Sequence, residues 1–409
     1  MARCIAWLIA AVGLVPAAAA ADVAPGTLAA ALAAAAPGAT LRLAAGVHPG
    51  PVAIDRPVTL TGAPGAIVDG GGAGSVITVS APDVTIAGLT VRHSGIDLSE
   101  QDSGIFVDKA GDRARIAGNR LERNLIGVYL WGPDDALVRG NVIVGRSDLR
   151  MNERGNGVQL WNAPGSVIAD NHVAYGRDGI FVTTSKRNVF RGNRFRDLRF
   201  AIHYMYTNDS ELLDNVSTGN HAGFALMFSK RLRVRGNRSV GDRDHGILLN
   251  YANESVIEKN IVAPGGHKCV FIYNSNKNAF RDNRFEGCDI GVHFTAGSER
   301  NALSGNAFIG NRTQVKYVGT RWLDWTEAGR GNYWSDNPSF DLDGDGIADR
   351  PYRPNDVVDQ LVWRYPAAKL LLNSPAITAL RWAQARFPGL HPGGVVDTAP
   401  LMRAPGEAG

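Results

Sequence analysis

The chain has few cysteines and no long apolar run beyond its first residues. Three cysteines among 409 residues exclude a fold that depends on a disulfide framework. After residue 20 no stretch is apolar for 18 residues, so no later segment is predicted to span a membrane as a helix. Basic and acidic residues number 43 and 39, and this even balance argues against a nucleic-acid-binding surface.

The N-terminus has the pattern of an export signal. Arg3 precedes an apolar run over residues 5–15, and alanines follow at 17–21. A positive n-region, a short apolar h-region and a small-residue cleavage site predict a secretory signal peptide in residues 1–21. The alternative is an uncleaved anchor helix, for which the apolar run is short. We therefore expect an exported mature chain.

An asparagine repeat is the main structural signal. Nine asparagines begin similar segments at spacings of 22, 30, 22, 22, 22, 23, 23 and 23 residues, from Asn119 to Asn306. A short strand follows most of them, such as GVYL (127–130) and GIFV (179–182). The period is too short for a βαβ unit and contains no helical periodicity. It predicts an all-β, right-handed parallel β-helix of roughly a dozen coils, with three short strands per coil.

Composition divides the mature chain into three parts. Residues 22–318 are predicted to form the β-helix, with a capping helix at 26–36. Residues 319–366 form a C-terminal cap rich in Trp and Tyr, and residues 367–409 comprise two short helices broken at Pro375, followed by a poorly structured tail.

Alternation within the repeated strand separates inward from outward side chains. With the strand's glycine as position 0, positions 1 and 3 are apolar in every coil and are predicted to point inward. Positions 2 and 4 are then outward, yet many are aromatic or methionine, which is typical of an interaction surface. A covering loop is the alternative, given insertions at 93–103 and 146–155. The predicted docking residues are Tyr129, Trp131, Trp161, Phe181, Phe271 and Tyr273.

Two carbohydrate-related functions are the alternatives to a docking protein. A polysaccharide lyase or epimerase needs clustered acid and base groups on this face, but the two outward columns contain no Asp, Glu, Lys or Arg from Tyr129 to Thr295. A carbohydrate-binding protein could use Trp131 and Trp161 as a stacking platform.

Sulfur and imidazole groups share one region of the outward columns. Met205 and Met227 occupy the same column in adjacent coils, His203 lies on the same face, and His221 precedes the second strand. Thioethers and imidazoles suit Cu(I), so these four residues are candidate copper ligands. The alternative is a plastic contact surface for a partner. Cys269 and Cys288 occupy different offsets in their coils, and no disulfide between them is expected.

The cap contains an acidic loop, DLDGDGIAD. Asp341, Asp343, Asp345 and Asp349 fall at positions 1, 3, 5 and 9 of a calcium loop, with the Ile347 carbonyl at position 7. Position 12 is Tyr352 instead of the usual Glu. The motif predicts a structural calcium site or, alternatively, an empty acidic turn.

The second C-terminal helix, at 376–387, has an apolar face formed by Ile377, Leu380, Trp382 and Phe387. It is predicted to dock either on the cap or on a membrane partner.

Four segments of the mature chain resemble the NosD family of periplasmic β-helix maturation proteins associated with nitrous oxide reductase. They are HYMYTNDSELLDN (203–215), GFALMFSKRL (223–232), GNYWSDNPSFDLDGDGIADRPYRP (331–354) and DQLVWRYPAAKLLLNSPAI (359–377).

The resemblance implies a non-catalytic periplasmic partner of an ABC transporter with a separate ATPase and permease. It implies a role in assembling the copper–sulfur centre of apo nitrous oxide reductase, with copper arriving from a copper chaperone lipoprotein. Copper would be held transiently, no nucleic acid would be bound, and the membrane would be contacted only through the permease. The helix at 376–387 would then dock on that permease.

Overall fold

Three long parallel sheets form the molecule. The computed structural model describes residues 20–317, 319, 321–387 and 393–406, so the predicted signal peptide lies almost wholly outside the described residues. Successive strands of the chain belong to successive sheets, and each strand pairs in parallel with its counterpart one coil away. The predicted parallel β-helix is confirmed, with about 14 turns.

The strand bounds follow sheet by sheet. Sheet 1 comprises Ala21–Val23, Ala39–Leu43, Val58–Gly62, Thr85–Ala87, Arg115–Ala117, Leu137–Arg139, Val167–Ala169, Val189–Arg191, Glu211–Leu213, Arg233–Arg235, Val256–Glu258, Ala279–Arg281 and Ala302–Ser304. Sheet 2 comprises Val52–Ile54, Ile77–Val79, Ser103–Val107, Ile126–Trp131, Val158–Trp161, Asp178–Thr183, Phe200–Met205, Ala222–Met227, His245–Asn250, Lys268–Tyr273, Ile290–Phe294 and Thr313–Tyr317. Sheet 3 comprises Gly46–Pro49, Ala66–Asp69, Thr90–Arg92, Arg120–Glu122, Val142–Val144, His172–Ala174, Arg194–Arg196, Val216–Thr218, Arg238–Val240, Ile261–Val262, Arg284–Glu286, Ala307–Ile309 and Tyr333–Trp334.

The core is a set of apolar columns that run along the solenoid. In sheet 2, position 1 is fully buried in coil after coil, because parallel in-register stacking places equivalent side chains above one another. The column contains Val128, Val158, Ile180, Ile202, Phe224, Ile247, Val270 and Val292. Each coil alone has a small apolar face, so burial depends on its two neighbours.

The repeating asparagines form a buried hydrogen-bonded ladder. In Asn193, Nδ2 donates to the Ile168 carbonyl, and both Nδ2 and the backbone N–H donate to Oδ1 of Asn215 in the next coil. Equivalent bonds link the row from Asn119 to Asn332. The ladder satisfies backbone groups that the turn between sheets 1 and 3 would otherwise leave unpaired inside the molecule.

Both ends of the solenoid are closed. Helix α1 (Leu28–Ala34) buries Leu28 and Leu32 over the first coil, as predicted for 26–36. At the other end Trp325, Trp334 and Tyr352 stack beneath the cap.

The prediction of a poorly structured tail is wrong for residues 393–406. Gly394–Val396 pairs with Trp322–Asp324. The fully buried Asp397 carboxylate accepts hydrogen bonds from the Asn332 backbone and from Trp334 Nε1. A tail that supplies the acceptor for the end of the asparagine ladder is part of the cap.

The expectation that Cys269 and Cys288 remain apart is also wrong, because they form a disulfide with a Cα–Cα distance of 5.7 Å. In the strand register Cys269 is opposite Gly291, three residues after Cys288, so the offsets alone keep the two cysteines apart. The chain, however, turns sharply before each sheet 2 strand. Cys288 lies in that corner, beneath Gly265, where a Cβ on Gly265 would collide with its Sγ. The pair therefore joins two adjacent coils through their interior corner.

Helices α2 (Val357–Arg364) and α3 (Pro375–Arg386), with 3₁₀ turns at Met151–Glu153 and Pro366–Leu371, complete the described elements. Asp356 caps α2 and Ser374 caps α3. Among the described residues no helix has the length and apolar character needed to cross a membrane.

Candidate copper-binding and docking face

The outward side of sheet 2, which we call the outer face, brings together most of the predicted site residues. Positions 2 and 4 point outward as predicted, but the side chain at position −1 reaches this face as well. The alternation is interrupted at the position 0 glycine, where an added Cβ would strike neighbouring groups, as at Gly179 and Gly223. Position −1 of one coil thereby contacts position 2 of the next.

Asp178, Arg199 and His203 form a charged cluster at the centre of the outer face. Asp178, at position −1, is 1% exposed and receives two hydrogen bonds from Arg199, at 2.8 and 2.6 Å. Its Oδ2 also lies 3.0 Å from His203 Nδ1. Although burial alone would raise the pKa of Asp178, the hydrogen bonds from His203 and Arg199 hold it below its ordinary value.

The second imidazole nitrogen of His203 is buried and has no hydrogen-bond partner. The ring is packed between Phe181 and Phe200, with centroid distances of 5.1 and 5.0 Å. Because Nδ1 is hydrogen-bonded to Asp178, Nε2 is the ring nitrogen that is left without a hydrogen-bond partner. A carboxylate that orients a histidine in this way is the usual second partner of a metal-binding imidazole.

The two methionines lie on the same outward face as this imidazole, because Met205 follows His203 by two residues in one strand. Met205 and Met227 are register partners in adjacent coils, and both are half-buried. In the next coil the register partner of His203 is the small, fully buried Ala225. Beyond Met227 lies Asn250, whose Oδ1 is buried without a partner. Two thioethers, one unpartnered nitrogen and one unpartnered oxygen therefore occupy three neighbouring coils.

His221 lies at the edge of this group. Its Nε2 is 3.8 Å from Asp244 Oδ2 in the following coil, and its side chain is about half exposed. No hydrogen bond or ring contact joins it to His203 among the described residues. Of the four candidate copper ligands, Met205 and Met227 are register partners, His203 lies on the same outward face, and His221 lies at its edge.

Tyr129 is not part of the exposed docking surface, so that prediction is wrong. Its ring is 5% exposed, because the inserted segments close over this end of the outer face. Gln101 of the first insertion hydrogen-bonds Gln159 at 2.9 Å, and Asn156 bonds Gln159 at 2.8 Å. The covering loop considered from the sequence therefore exists, but only over the N-terminal coils.

Trp131 and Trp161 remain exposed at 37% and 38%. Their rings stack on each other at 5.4 Å with an interplanar angle of 16°. Phe106 stacks on the other side of Trp131 at 6.4 Å. The stacking covers the faces that Trp131 and Trp161 turn toward each other, and a sugar ring cannot stack on those covered faces.

A second aromatic row was missed from the sequence. Tyr206, Phe228 and Tyr251 follow sheet 2 strands, adopt positive φ, and stack at 5.2 and 5.3 Å. Tyr273, a predicted docking residue, meets Tyr251 edge-on. Phe181 and Phe271 are half-buried on the same face. The motifs YMYTN and ALMFS contained the signal, since an aromatic residue follows each methionine.

The C-terminal helices divide the predicted permease-docking residues into two groups. Ile377 is 6% exposed and packs with Val358 and Val362 of α2, and Leu380 packs against the same cluster. Predicting these two as exposed anchors is wrong, because they hold α3 to α2. Trp382 and Phe387 are 61% and 60% exposed, and the linker adds Leu370 and Leu371 at 90% and 57%.

The acidic loop of the cap gathers three carboxylates. Single oxygens of Asp341, Asp343 and Asp345 all lie within 4.8 Å of one another. Loop N–H groups already bond these side chains, including Gly346 to Asp341 Oδ2 at 2.9 Å. That bond is the main reason why the pKa of Asp341 is lowered. Asp349 Oδ2 accepts from Leu342.

Comparison with known proteins places the chain among a group of similar sequences. The sequence model of a family described as "Periplasmic copper-binding protein (NosD)" matches residues 139–339. A "Probable ABC transporter binding protein NosD" of Stutzerimonas stutzeri is 42% identical over 380 residues, covering 90% of this chain and 87% of the relative. Another of the same description from Pseudomonas aeruginosa is 43% identical over 376 residues, covering 89% and 88%.

Solved structures share the fold. An alginate lyase from Paenibacillus sp. superposes with a TM-score of 0.53 at 18% identity, covering 60% of this chain and 96% of the lyase. A PL6 alginate lyase in complex with a trisaccharide gives 0.55 at 12% identity, covering 74% and 85%. At such identities the likeness concerns the solenoid alone.

Proposed function

Because this chain belongs to the NosD family, we propose that it is a non-catalytic periplasmic protein that handles Cu(I) together with an ABC transporter. In this proposal it helps to assemble the copper–sulfur centre of apo nitrous oxide reductase. The observation that carries the copper part is the buried, unpartnered Nε2 of His203 on the same outward face as the register partners Met205 and Met227.

The donor set matches the chemistry of Cu(I). Thioethers and imidazoles are ligands that bind soft monovalent copper, whereas Mg²⁺ and Ca²⁺ need oxygen ligands. A buried imidazole nitrogen without a partner costs about 1–3 kcal/mol, and a bound ion would remove that cost. Asp178 keeps Nδ1 occupied, so the ring is already oriented for coordination through Nε2.

The half-buried position of the methionines favours transfer over storage. Both lie on an outward column and both remain accessible to a partner that approaches the outer face. An ion held by three neutral donors at a surface can pass to a second protein without unfolding the solenoid. His221 can join the site only by leaving Asp244, so we assign it a secondary role.

Competition titration of Cu(I) against a chromophoric chelator tests the copper site. We expect Met205→Ala/Met227→Ala and, separately, His203→Ala to weaken Cu(I) binding by at least about tenfold, since each removes a coordinate bond. Met402→Ala is the matched control, because that methionine lies in the cap, away from the outer face. Equal affinities in the wild type, the double variant and the control would refute the assignment.

We propose that the exposed apolar side chains of the helical segment dock on the permease. Leu370, Leu371, Trp382 and Phe387 are exposed apolar side chains on a small unit in which α3 packs against α2, and the Arg386 guanidinium covers part of the Trp382 ring. Large exposed apolar patches usually mark interfaces. Truncation of 367–409 is a poor test, because it would remove Asp397 from the cap.

Point substitutions test docking without that damage. Leu370→Asp/Trp382→Asp should abolish co-purification with the permease and its ATPase, whereas Ile96→Asp, at another exposed apolar residue, should not. Retained co-purification of the double variant would exclude this surface. The stacked rows Trp131–Trp161 and Tyr206–Phe228–Tyr251, together with Phe181, Phe271 and Tyr273, are left for the copper chaperone lipoprotein and the reductase.

The maturation role has its own test in cells. Nitrous oxide reductase purified from cells that lack this chain should have its electron-transfer copper site filled and its copper–sulfur site empty. A fully loaded reductase would contradict the role even if the chain binds Cu(I) in vitro.

We also propose a structural Ca²⁺ in the acidic loop, held by Asp341, Asp343, Asp345, Asp349 and the Ile347 carbonyl. The support is the convergence of three carboxylates and the all-oxygen donor set. Ca²⁺ should raise the melting temperature of the wild type and of Asp134→Asn, but not that of Asp343→Asn/Asp345→Asn. The same shift in all three proteins would rule out this site.

A further inference from the structure

The outer face changes its chemistry toward the C-terminal end of sheet 2. From His245 onward basic side chains join the aromatic ones on this face, with Lys268 at position −1 and His293 and Lys316 at position 2. None of these groups belongs to the candidate copper site, which ends at Asn250. The proposed copper site therefore does not account for these basic side chains.

Register brings the basic groups together. His293 and Lys316 are paired across adjacent coils, as are His245 and Lys268. Elsewhere on the face, position −1 of one coil contacts position 2 of the next, as Asp178 contacts His203. The same offset joins His245 to Phe271, with ring centroids 5.4 Å apart, and places Lys268 next to His293.

Aromatic rings line the cluster. The Lys268 ammonium lies 4.4 Å from the centroid of Phe271, and the His293 ring stacks on Phe271 at 4.8 Å. His293 Nδ1 is buried without a hydrogen-bond partner, and so is His245 Nδ1. The His245 nitrogen lies 3.3 Å from Asp244 Oδ1, but the geometry does not make a hydrogen bond.

The positive charge of this cluster is incompletely balanced. Among the described residues, neither Lys268 nor Lys316 has a carboxylate within ion-pair distance. Asp289 is shared between His267, at 3.2 Å, and Arg312, at 3.3 Å. The Asp244 carboxylate, next to His245, partly offsets the charge of Lys268 and also lies 3.8 Å from His221.

The electrostatics of His293 agree with this geometry. Burial, followed by the nearby charges of Lys316, Lys268, His245 and His267, lowers the pKa of His293 to about 4. Burial likewise lowers the pKa of Lys268. A negative ligand would reverse the effect of the lysines, so that binding it would favour protonation of His293.

We propose that Lys268, His293 and Lys316 form a binding site for a small inorganic oxyanion on the outer face, next to the ring of Phe271. The lysines supply charge-assisted hydrogen bonds, and the unpartnered Nδ1 of His293 supplies a third donor once it is protonated. The site lies on the same face as the Cu(I) site but does not depend on it, because no residue is shared.

Sulfate, added to the mature wild-type chain at constant ionic strength, is the probe. Isothermal titration at pH 6 should show saturable binding that weakens by at least about tenfold in Lys268→Ala/Lys316→Ala, which loses two charge-assisted hydrogen bonds. Lys109→Ala, an exposed lysine distant along the solenoid, should bind as the wild type does. Circular dichroism shows whether the variants keep the β-helix, and Lys316→Gln repeats the test with a milder change.

The protonation of His293 gives a second readout that a merely structural role of the lysines would not produce. With ¹³C-labelled histidine, sulfate should raise the pKa of His293 in the wild type and leave it unchanged in the double variant. Binding should also be tighter at pH 6 than at pH 8. Absence of saturable binding in the wild type, or equal binding in the double variant and Lys109→Ala, would overturn the proposal.

Discussion

Replacing Asn215 by alanine is the sharpest test of how the solenoid is held together. Asn215 lies in the middle of the buried ladder and is fully inaccessible. Its Oδ1 accepts from the backbone N–H of Asn193 at 3.1 Å and from Asn193 Nδ2 at 3.0 Å. Its Nδ2 donates to the Phe190 carbonyl and to Asn237 Oδ1, both at 2.9 Å. The substitution therefore removes four hydrogen bonds without changing the apolar core.

The partners left behind set the size of the effect. The Asn193 backbone N–H loses its acceptor in a place that water does not reach, and one unsatisfied buried group costs about 1–3 kcal/mol. The Phe190 carbonyl loses a donor, while Asn237 Oδ1 keeps the Asn215 backbone N–H. With about 1 kcal/mol for each weaker loss, we expect the free energy of unfolding to fall by about 3–5 kcal/mol.

Equilibrium unfolding in urea, followed by circular dichroism, measures this loss. Asn152→Ala serves as the control, since that side chain is exposed in a surface turn, and it should change the free energy of unfolding by less than about 0.5 kcal/mol. We also expect a central coil that is weakened in this way to split the transition in two, because each coil contacts only its neighbours. If Asn215→Ala unfolds at the wild-type midpoint with an unchanged slope, the ladder does not stabilise the fold as argued.

Two further perturbations follow from buried pairs. Asp178→Asn leaves Arg199 without its counter-charge and should lower the free energy of unfolding at pH 7 by about 3 kcal/mol. Because the pKa of Asp178 is depressed in the folded state, the stabilisation by its carboxylate is complete above about pH 4 and is lost as the pH falls through the folded pKa. The urea midpoints of the wild type and the variant should therefore converge in acid. Reduction of the Cys269–Cys288 disulfide, whose cysteines are 19 residues apart, should lower the free energy of unfolding by about 3 kcal/mol. Dithiothreitol should therefore lower the urea midpoint of the wild type but not that of Cys269→Ser/Cys288→Ser.

The sequence allowed the solenoid to be predicted because the asparagine period recurs through the coils from Asn119 to Asn306. An asparagine that recurs at one offset can satisfy the same backbone groups each time, and apolar residues at positions 1 and 3 must share one side of a strand. Such rules are local and repeated, so a few coils suffice to establish them. The capping helix at 26–36 was predictable for the same reason, since the open end of a stack needs a cover.

The missed row Tyr206–Phe228–Tyr251 follows the period, but the other features that were missed break it. Position −1 reaches the outer face only because the backbone bends at position 0, and alternation alone would have placed Asp178 inside. The same bend brings Cys288 to Cys269. Tyr129 is buried by an insertion whose path no repeat predicts, and the tail became ordered because Asp397 ends the ladder. Each depends on three-dimensional contacts between segments that share no spacing.

The separation of core and outer face explains how one solenoid can carry several sites. Hydrogen bonds of the ladder and the inward columns are confined to the interior, so an exposed outward residue, unlike the buried Asp178, can change without disturbing the stack. Successive coils are ~4.8 Å apart, which is close enough for residues of two or three coils to share a ligand. Along sheet 2 the outward chemistry runs from stacked tryptophans through Met205 and Met227 to Lys268 and Lys316. Partners that approach this side therefore meet apolar, soft-donor and cationic surfaces in a fixed linear order, set by the order of the coils in the chain.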